Sequence, residues 1–211
     1  MELIAPGRHS EIPRSEFDRK FQVDTSGEIH LTELEIDSAN SAFGNSYQPS
    51  PPKVFFEMLA TIDIRYDDYT FIDLGSGKGL VLLLASNYPF RRIIGVEFSP
   101  ELHRIAEQNI RNYQNPAQQC RSFESLLGDA VEYRIPEEPE VLYLFNPFNE
   151  KIMEVLGANI RRSLESHPRP LFVLYKNPIA NAVFEGGQFL TAVKVTKEYA
   201  IYKHEGPGAK V

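Results

Sequence analysis

From residue 51 onward the apolar positions alternate between short unbroken runs and helical stripes, while the first fifty residues hold neither period. Residues 1–50 are polar and broken by Pro6, Gly7, Gly27 and Gly44, which reads as an irregular arm or cap ahead of a domain at 51–211. Ser50 can cap a helix and Pro51 suits its first turn, after which Val54, Phe55, Met58, Leu59 and Ile62 follow at helical spacing. Thr70 to Leu74 is then a short strand, Gly75 to Gly79 a turn, and Leu80 to Ser86 an apolar helix. The unit recurs: Ile93 to Glu97 is a buried strand, and Ser99-Pro100-Glu101 opens a helix with Leu102, Ile105, Ala106 and Ile110 on one face. Further strands fall at Phe123 to Leu127, Val141 to Phe145 and Leu171 to Tyr175, and Asn149 can cap a helix carrying Ile152, Leu156 and Ile160. Ala192 to Thr196 and Tyr199 to Tyr202 are two more strands, joined around Lys197 and Glu198 at the spacing of an antiparallel hairpin.

Strands that alternate with helices pair in parallel through right-handed crossovers. The expected fold is therefore α/β: a three-layer α/β/α Rossmann-like sandwich on a mostly parallel seven-stranded sheet with one antiparallel terminal strand. A length of 211 residues fits one core of this kind, and 42% hydrophobic with 24% charged residues excludes a disordered or fibrous chain. The longest apolar run, Leu80 to Ala85, is too short to cross a bilayer, and the amino terminus lacks a basic-then-apolar leader, so a cytoplasmic location is expected. Cys120 stands alone, and His9, His30, His103, His167 and His204 are scattered without ligand spacing, so no metal is expected. The net charge of -7 repels phosphate backbones and no dense Lys/Arg block offsets it, which disfavours a nucleic-acid partner.

The chemistry concentrates at the first strand-to-helix turn. In an open α/β sheet, ligands lie outside the carboxyl ends of the strands, close to backbone amides and a helix amino terminus. Gly75, Ser76, Gly77 and Gly79 fall there; a side chain would block close approach of a ligand, and left-handed backbone is expected at some of these glycines. Asp73 precedes the loop. Beside a pyrophosphate a buried anion is unfavourable, whereas a cofactor bearing an ammonium and a sulfonium favours one. A dinucleotide fingerprint G-x-G-x-x-G would place glycine at position 80, where this chain has Leu80. Glu97 closes the second strand, where an acid receives ribose hydroxyls in nucleoside-binding folds, and Asp129-Ala130 after the third strand can offer a carboxylate and an amide to an adenine edge.

The stretches FIDLGSGKG, GVEFSPEL and GDA resemble, in order and spacing, the class I S-adenosylmethionine (SAM)-dependent methyltransferases over roughly residues 47 to 148. The resemblance implies SAM as cofactor, with Asp73 and the three glycines along its methionine part, Glu97 on the ribose, Phe98 packed on the adenine, and Asp129 with Ala130 at the adenine edge. The lead-in YQPSPPKVFFEML at 47 to 59 is similar to the segment that helps enclose the cofactor in lysine methyltransferases of the DOT1 and mitochondrial FAM families, which makes Tyr47 a candidate contact. The arm FDRKFQVDTSG at 17 to 27 resembles that of small bacterial methyltransferases and supplies no substrate; its Phe17 and Phe21 read as anchors.

The fourth strand runs into Asn146-Pro147-Phe148, which resembles the D/N-P-P-Y/F motif of nitrogen methyltransferases without its second proline. Carbonyl acceptors there would orient a nitrogen lone pair, and a ring face would favour the charge that develops on it. Asn177-Pro178 after the fifth strand reads as a turn on the same side of the sheet. The resulting expectation is direct transfer of a methyl group from SAM to a nitrogen acceptor, a protein lysine or a small-molecule amine, with the arm closing over the site. The alternatives are a small-molecule O-methyltransferase, a non-catalytic SAM-binding protein and a NAD-dependent oxidoreductase, the last opposed by Leu80.

Overall fold

The computed structural model describes residues 14–30, 32, 34, 46–145, 149–185 and 189–207. In chain order the strands are β1 (Thr70–Leu74), β2 (Arg92–Glu97), β3 (Phe123–Leu127), β4 (Glu140–Phe145), β5 (Pro170–Lys176), β6 (Thr191–Val195) and β7 (Tyr199–Glu205). The helices are α1 (Glu16–Phe21), α2 (Pro52–Leu59), α3 (Leu80–Ala85), α4 (Pro100–Asn112), α5 (Glu150–Ser166) and α6 (Ala182–Glu185). One sheet holds all seven strands in the order β3-β2-β1-β4-β5-β7-β6. Pairings from β3 through β5 are parallel, whereas β7, the last strand of the chain, runs antiparallel to both β5 and β6. The expected α/β sandwich with one reversed terminal strand is the observed fold.

Alternation along β1 explains the layers. Phe71 faces a cluster with Phe55, Met58 and Leu82 from α2 and α3, while Ile72 faces Ile152, Leu156 and Ile160 of α5 and Phe184 of α6. Every residue of β1 is buried, as a central parallel strand covered on both faces must be. Phe55 meets Phe71 at 5.8 Å and Tyr143 at 5.6 Å between ring centroids, both edge-on, and burying each such side chain stabilises by roughly 1.5–3 kcal/mol. Caps fix the helix starts: Ser99 accepts from the Leu102 N–H and Asn149 from the Ile152 N–H.

Two local expectations change. Ser50 does not cap α2; Pro51 holds that position, and the Ser50 hydroxyl instead accepts a 3.0 Å hydrogen bond from Tyr143, which ties the α2 lead-in to β4. The arm is not wholly irregular: Ser15 caps α1, whose six residues are too few to display a period, and Ile29 bridges Tyr47 as an isolated antiparallel pair. No helix of the described residues is long and apolar enough to cross a membrane.

The chain direction through the sheet reverses between β1 and β4, because β2 and β3 lie on one side of β1 while β4, β5 and β7 lie on the other. That reversal opens a crevice beyond the carboxyl ends of β1 and β4. The opposite end of the sheet is closed by charge pairs: Arg169 meets the fully buried Glu140 at 3.0 Å, and Glu138 receives Arg92 at 2.7 Å and the Thr70 hydroxyl at 2.6 Å.

Candidate functional site

The crevice contains a cavity at the β1–α3 turn. After Leu74 the chain bends toward β2, with the Gly75 and Ser76 N–H groups donating to the Val96 carbonyl at 2.9 and 3.0 Å. Gly79 N–H then donates to the Ser76 carbonyl at 2.8 Å, and Gly79 serves as the left-handed N-cap of α3 with φ 82°. Gly77, φ 54°, is doubly constrained: a Cβ there would lie 2.4 Å from Cε2 of Tyr47. The Tyr47 ring thus rests directly on the glycine loop.

Asp73 ends 3% exposed and Glu97 2% exposed, both lining this cavity. Glu97 accepts the Gly77 N–H through Oε2 at 2.7 Å and the Ser99 N–H through Oε1 at 2.8 Å. Burial pushes Glu97 up to about 7, against the lowering effect of those amides, and raises Asp73 well above its ordinary range, with the Glu97 charge as the second cause. No cation is among the groups that act on either acid, and among the described residues no hydrogen bond reaches the Asp73 carboxylate. The Ser76 hydroxyl is buried and likewise has no hydrogen-bond partner among the described residues. Buried polar groups left so are matched by a ligand in functional clefts, and two anions call for a cationic one with hydroxyls to donate. An amino-acid ammonium, a sulfonium and a ribose fit this set, whereas a pyrophosphate would add negative charge beside it.

Of the residues expected at the site, Tyr47, Asp73, Gly75, Ser76, Gly77, Glu97 and Phe98 line the same cavity. Gly79 stands one step behind them at the helix start, with Ala106 of α4 3.2 Å from where its Cβ would be. Asp129 and Ala130 follow β3 and do not line the cavity; the Asp129 carboxylate accepts the Val131 N–H at 3.0 Å, and Ala130 is buried in the core. Asn146, Pro147 and Phe148 lie outside the described residues. Asn177 does have the left-handed backbone of a turn, with φ 53°, beyond β5.

Several residues of the site had gone unassigned. Leu34, Leu102, Tyr143 and Phe145 are among the other residues of the cavity wall. Lys78, inside the glycine loop, turns its ammonium away to Asp24 Oδ1 at 2.9 Å and the Ser26 carbonyl at 2.8 Å. Asn109 is 2% exposed on the inner face of α4. A signal for it existed: an amide seven residues after Leu102 and three after Ala106 falls on a helix face that is otherwise apolar. Tyr47 donates to the Thr25 carbonyl at 2.7 Å, and burial, then Asp24, Asp18, Glu97 and Asp73, raise its phenol far enough to keep it a neutral donor. Among the described residues no group of three or more His, Cys, Asp or Glu is placed to hold a metal ion.

Comparison with known proteins places these features in context. A family model for the histone methylation protein DOT1 matches residues 37–124, a span that includes Tyr47, the glycine loop and Glu97. No curated protein matches the sequence. Among solved structures, the chain is similar to an RNA methyltransferase from Salinibacter ruber in complex with S-adenosyl-L-homocysteine, with a TM-score of 0.51 and 22% identity over 77% of this chain and 96% of that one. It is also similar to a predicted N6-adenine-specific DNA methylase from Listeria monocytogenes (TM-score 0.54, 15% identity, 75% of this chain and 52% of that one). The 23S rRNA methyltransferase ErmE is a third (0.52, 13%, 75% and 69%). At these identities the likeness is one of fold.

Proposed function

We propose that the chain is a SAM-dependent methyltransferase of the class I fold and that it methylates a nitrogen acceptor, a protein lysine or a small-molecule amine, a reading supported by the match to a histone methylation family and by the fold. The observation that carries the cofactor assignment is the pair of buried, cation-free carboxylates, Asp73 and Glu97, around the glycine loop. In this reading Asp73 receives the methionine ammonium, Glu97 the ribose hydroxyls, and Phe98 packs on the adenine. The bound cofactor supplies an electrophilic methyl on a positively charged sulfur, so the protein has only to exclude water and align an acceptor in line with it. Asn146, Pro147 and Phe148, which follow the cavity-lining Phe145, are proposed to hold that acceptor. The domain boundary is proposed at residue 50, with the arm as a cover, and the enzyme as cytoplasmic.

Support for a basic acceptor comes from the match to a histone methylation family and from the net charge of -7, which attracts a lysine-rich partner and repels a polyanion. A nucleic-acid acceptor is the second reading, favoured by fold likeness to RNA and DNA methylases. The deciding experiment incubates the protein and an Asn146→Ala variant with methyl-labelled SAM and, in parallel, a lysine-rich histone fraction, a panel of amines and phenols, and total RNA. Label in protein or amine that is lost in the variant supports the nitrogen reading; label confined to phenol or RNA overturns it.

A further inference from the structure

The arm sequence Asp24-Thr25-Ser26 is bound to the rest of the protein more completely than a moving cover needs. All six backbone polar groups of the three residues have a partner. The Asp24 N–H donates to Asn109 Oδ1 and its carbonyl accepts from Asn109 Nδ2, both at 2.7 Å. The Thr25 N–H donates to Asp18 Oδ1 at 2.9 Å and its carbonyl accepts from the Tyr47 hydroxyl at 2.7 Å. The Ser26 N–H donates to Asp18 Oδ2 at 3.0 Å and its carbonyl accepts from the Lys78 ammonium at 2.8 Å. Loops on a protein surface usually satisfy much of their backbone with water, so a fully protein-paired tripeptide is a fixed structural part.

One of these partners, Tyr47, lines the cofactor cavity, and another, Lys78, belongs to the glycine loop beside it. Lys78 is the residue between Gly77 and Gly79, its side chain is 7% exposed, and its ammonium lies 5.6 Å from the Tyr47 ring centroid. Tyr47 is the ring that rests on Gly77. Asn109 closes the circle by donating to the Lys78 carbonyl at 2.8 Å, which fixes the loop backbone from the α4 side. Removing the Lys78 ammonium would leave the Asp24 carboxylate and the Ser26 carbonyl without their donor and loosen the tripeptide on the side of the glycine loop, next to the Thr25 carbonyl that anchors the Tyr47 hydroxyl.

We propose that Lys78 is a positioning residue of the cofactor site: by clasping Asp24 and Ser26 it fixes the arm to the glycine loop and thereby holds the Tyr47 ring over Gly77 as a permanent roof. The role rests on the SAM reading above. The side chain itself turns away from the cavity, toward Asp24 and Ser26. The described arm residues Asp24, Thr25 and Ser26 are accordingly a fixed support for the Tyr47 ring.

The test uses the full chain and Lys78→Met, Lys78→Arg and Asp24→Asn variants, with SAM affinity by calorimetry and amide hydrogen exchange with and without SAM. The clasp requires that Lys78→Met and Asp24→Asn each weaken SAM binding about tenfold or more while unfolding within a few degrees of the wild type, and that Lys78→Arg recovers most of the loss. By reciprocity SAM should slow exchange at the Thr25 and Ser26 amides in the wild type and not in Lys78→Met. Should Lys78→Met fail to fold, Asp24→Asn, whose side chain is half exposed, decides alone. Wild-type affinity in folded variants, or exchange at 25 and 26 already fast in the wild type, overturns the clasp. A wild type that binds no SAM overturns the cofactor reading itself, and the role of Lys78 with it.

Discussion

The two ends of the sheet bury acids to the same depth and differ in what meets the charge. Glu140 has a guanidinium, although burial still pushes it up to about 8 and its Oε1 has no partner among the described residues, whereas Asp73 and Glu97 have no cation among those residues. At the amino-terminal end of the strands Glu140, fully buried, meets Arg169 at 3.0 Å, and that guanidinium also donates to the Glu138, Ser163 and His167 carbonyls. At the carboxyl-terminal end Asp73 and Glu97 are as deeply buried, and among the described residues no cation lies between them. A buried carboxylate costs several kcal/mol unless it is paired, so the first arrangement is what a fold needs to stay folded and the second is what it tolerates for a ligand. The position of the unpaired acids, at the turn where the chain reverses direction through the sheet, agrees with that division.

The contrast is open to attack by mutation, and the largest effect belongs to the paired end. Arg169→Ala leaves Glu140 buried and alone, so it is expected to lower stability by about 3–5 kcal/mol in chemical denaturation while leaving SAM affinity of the folded fraction unchanged. Asp73→Ala and Glu97→Ala should behave in the reverse sense. Each is expected to weaken SAM binding about a hundredfold or more, since the ligand then loses its counter-charge or hydroxyl acceptor in a buried setting, yet each should unfold no earlier than the wild type at neutral pH. Loss of stability in the Asp73 and Glu97 variants with SAM affinity intact would merge the two ends into one structural role.

Protonation sharpens the comparison further. Glu97 lies at about 7 in the folded chain against an ordinary 4.5, so its contribution to stability is fully present below about 4.5 and is lost as pH rises through 7. The ligand-free protein should therefore unfold more readily at pH 8 than at pH 6 on this account. Ligand affinity runs the other way, because hydroxyls and an ammonium are received by the ionised acids. SAM binding is expected to tighten by up to about tenfold per pH unit below 7 and to level off above it, with Glu97→Gln abolishing the step. Calorimetry across pH 5.5 to 8.5 reads both slopes.

Much of this was legible in the sequence, and the reasons are physical. The central strands β1, β2 and β4 were legible because a parallel sheet covered on both faces writes mostly apolar runs such as Phe71-Ile72 and Val141 to Leu144, whereas the edge strand β3 is half-exposed. The cavity residues Asp73, Gly77 and Glu97 were readable because glycine spacing and strand-end acids are local signals. What failed was tertiary. Ser50 looks like a helix cap until Tyr143 of β4 takes its hydroxyl, and α1 is too short to carry a period. The clasp joins Asp24, Lys78 and Asn109 across 54 and 85 residues of chain, a distance at which a sequence pattern carries no register. Only the polar Asn109 on an apolar helix face hinted at it.

The central claim is that Asp73 and Glu97, which meet no cation among the described residues, receive a cationic nucleoside. Calorimetric titration of the wild-type chain with SAM, S-adenosylhomocysteine and NAD, beside the Asp73→Ala variant, tests it most directly. Micromolar binding of SAM and its demethylated product, no heat with NAD, and loss of both adenosyl ligands in the variant are expected. A folded wild type that takes up NAD or nothing at all, or an Asp73→Ala protein that binds SAM unchanged, would contradict it.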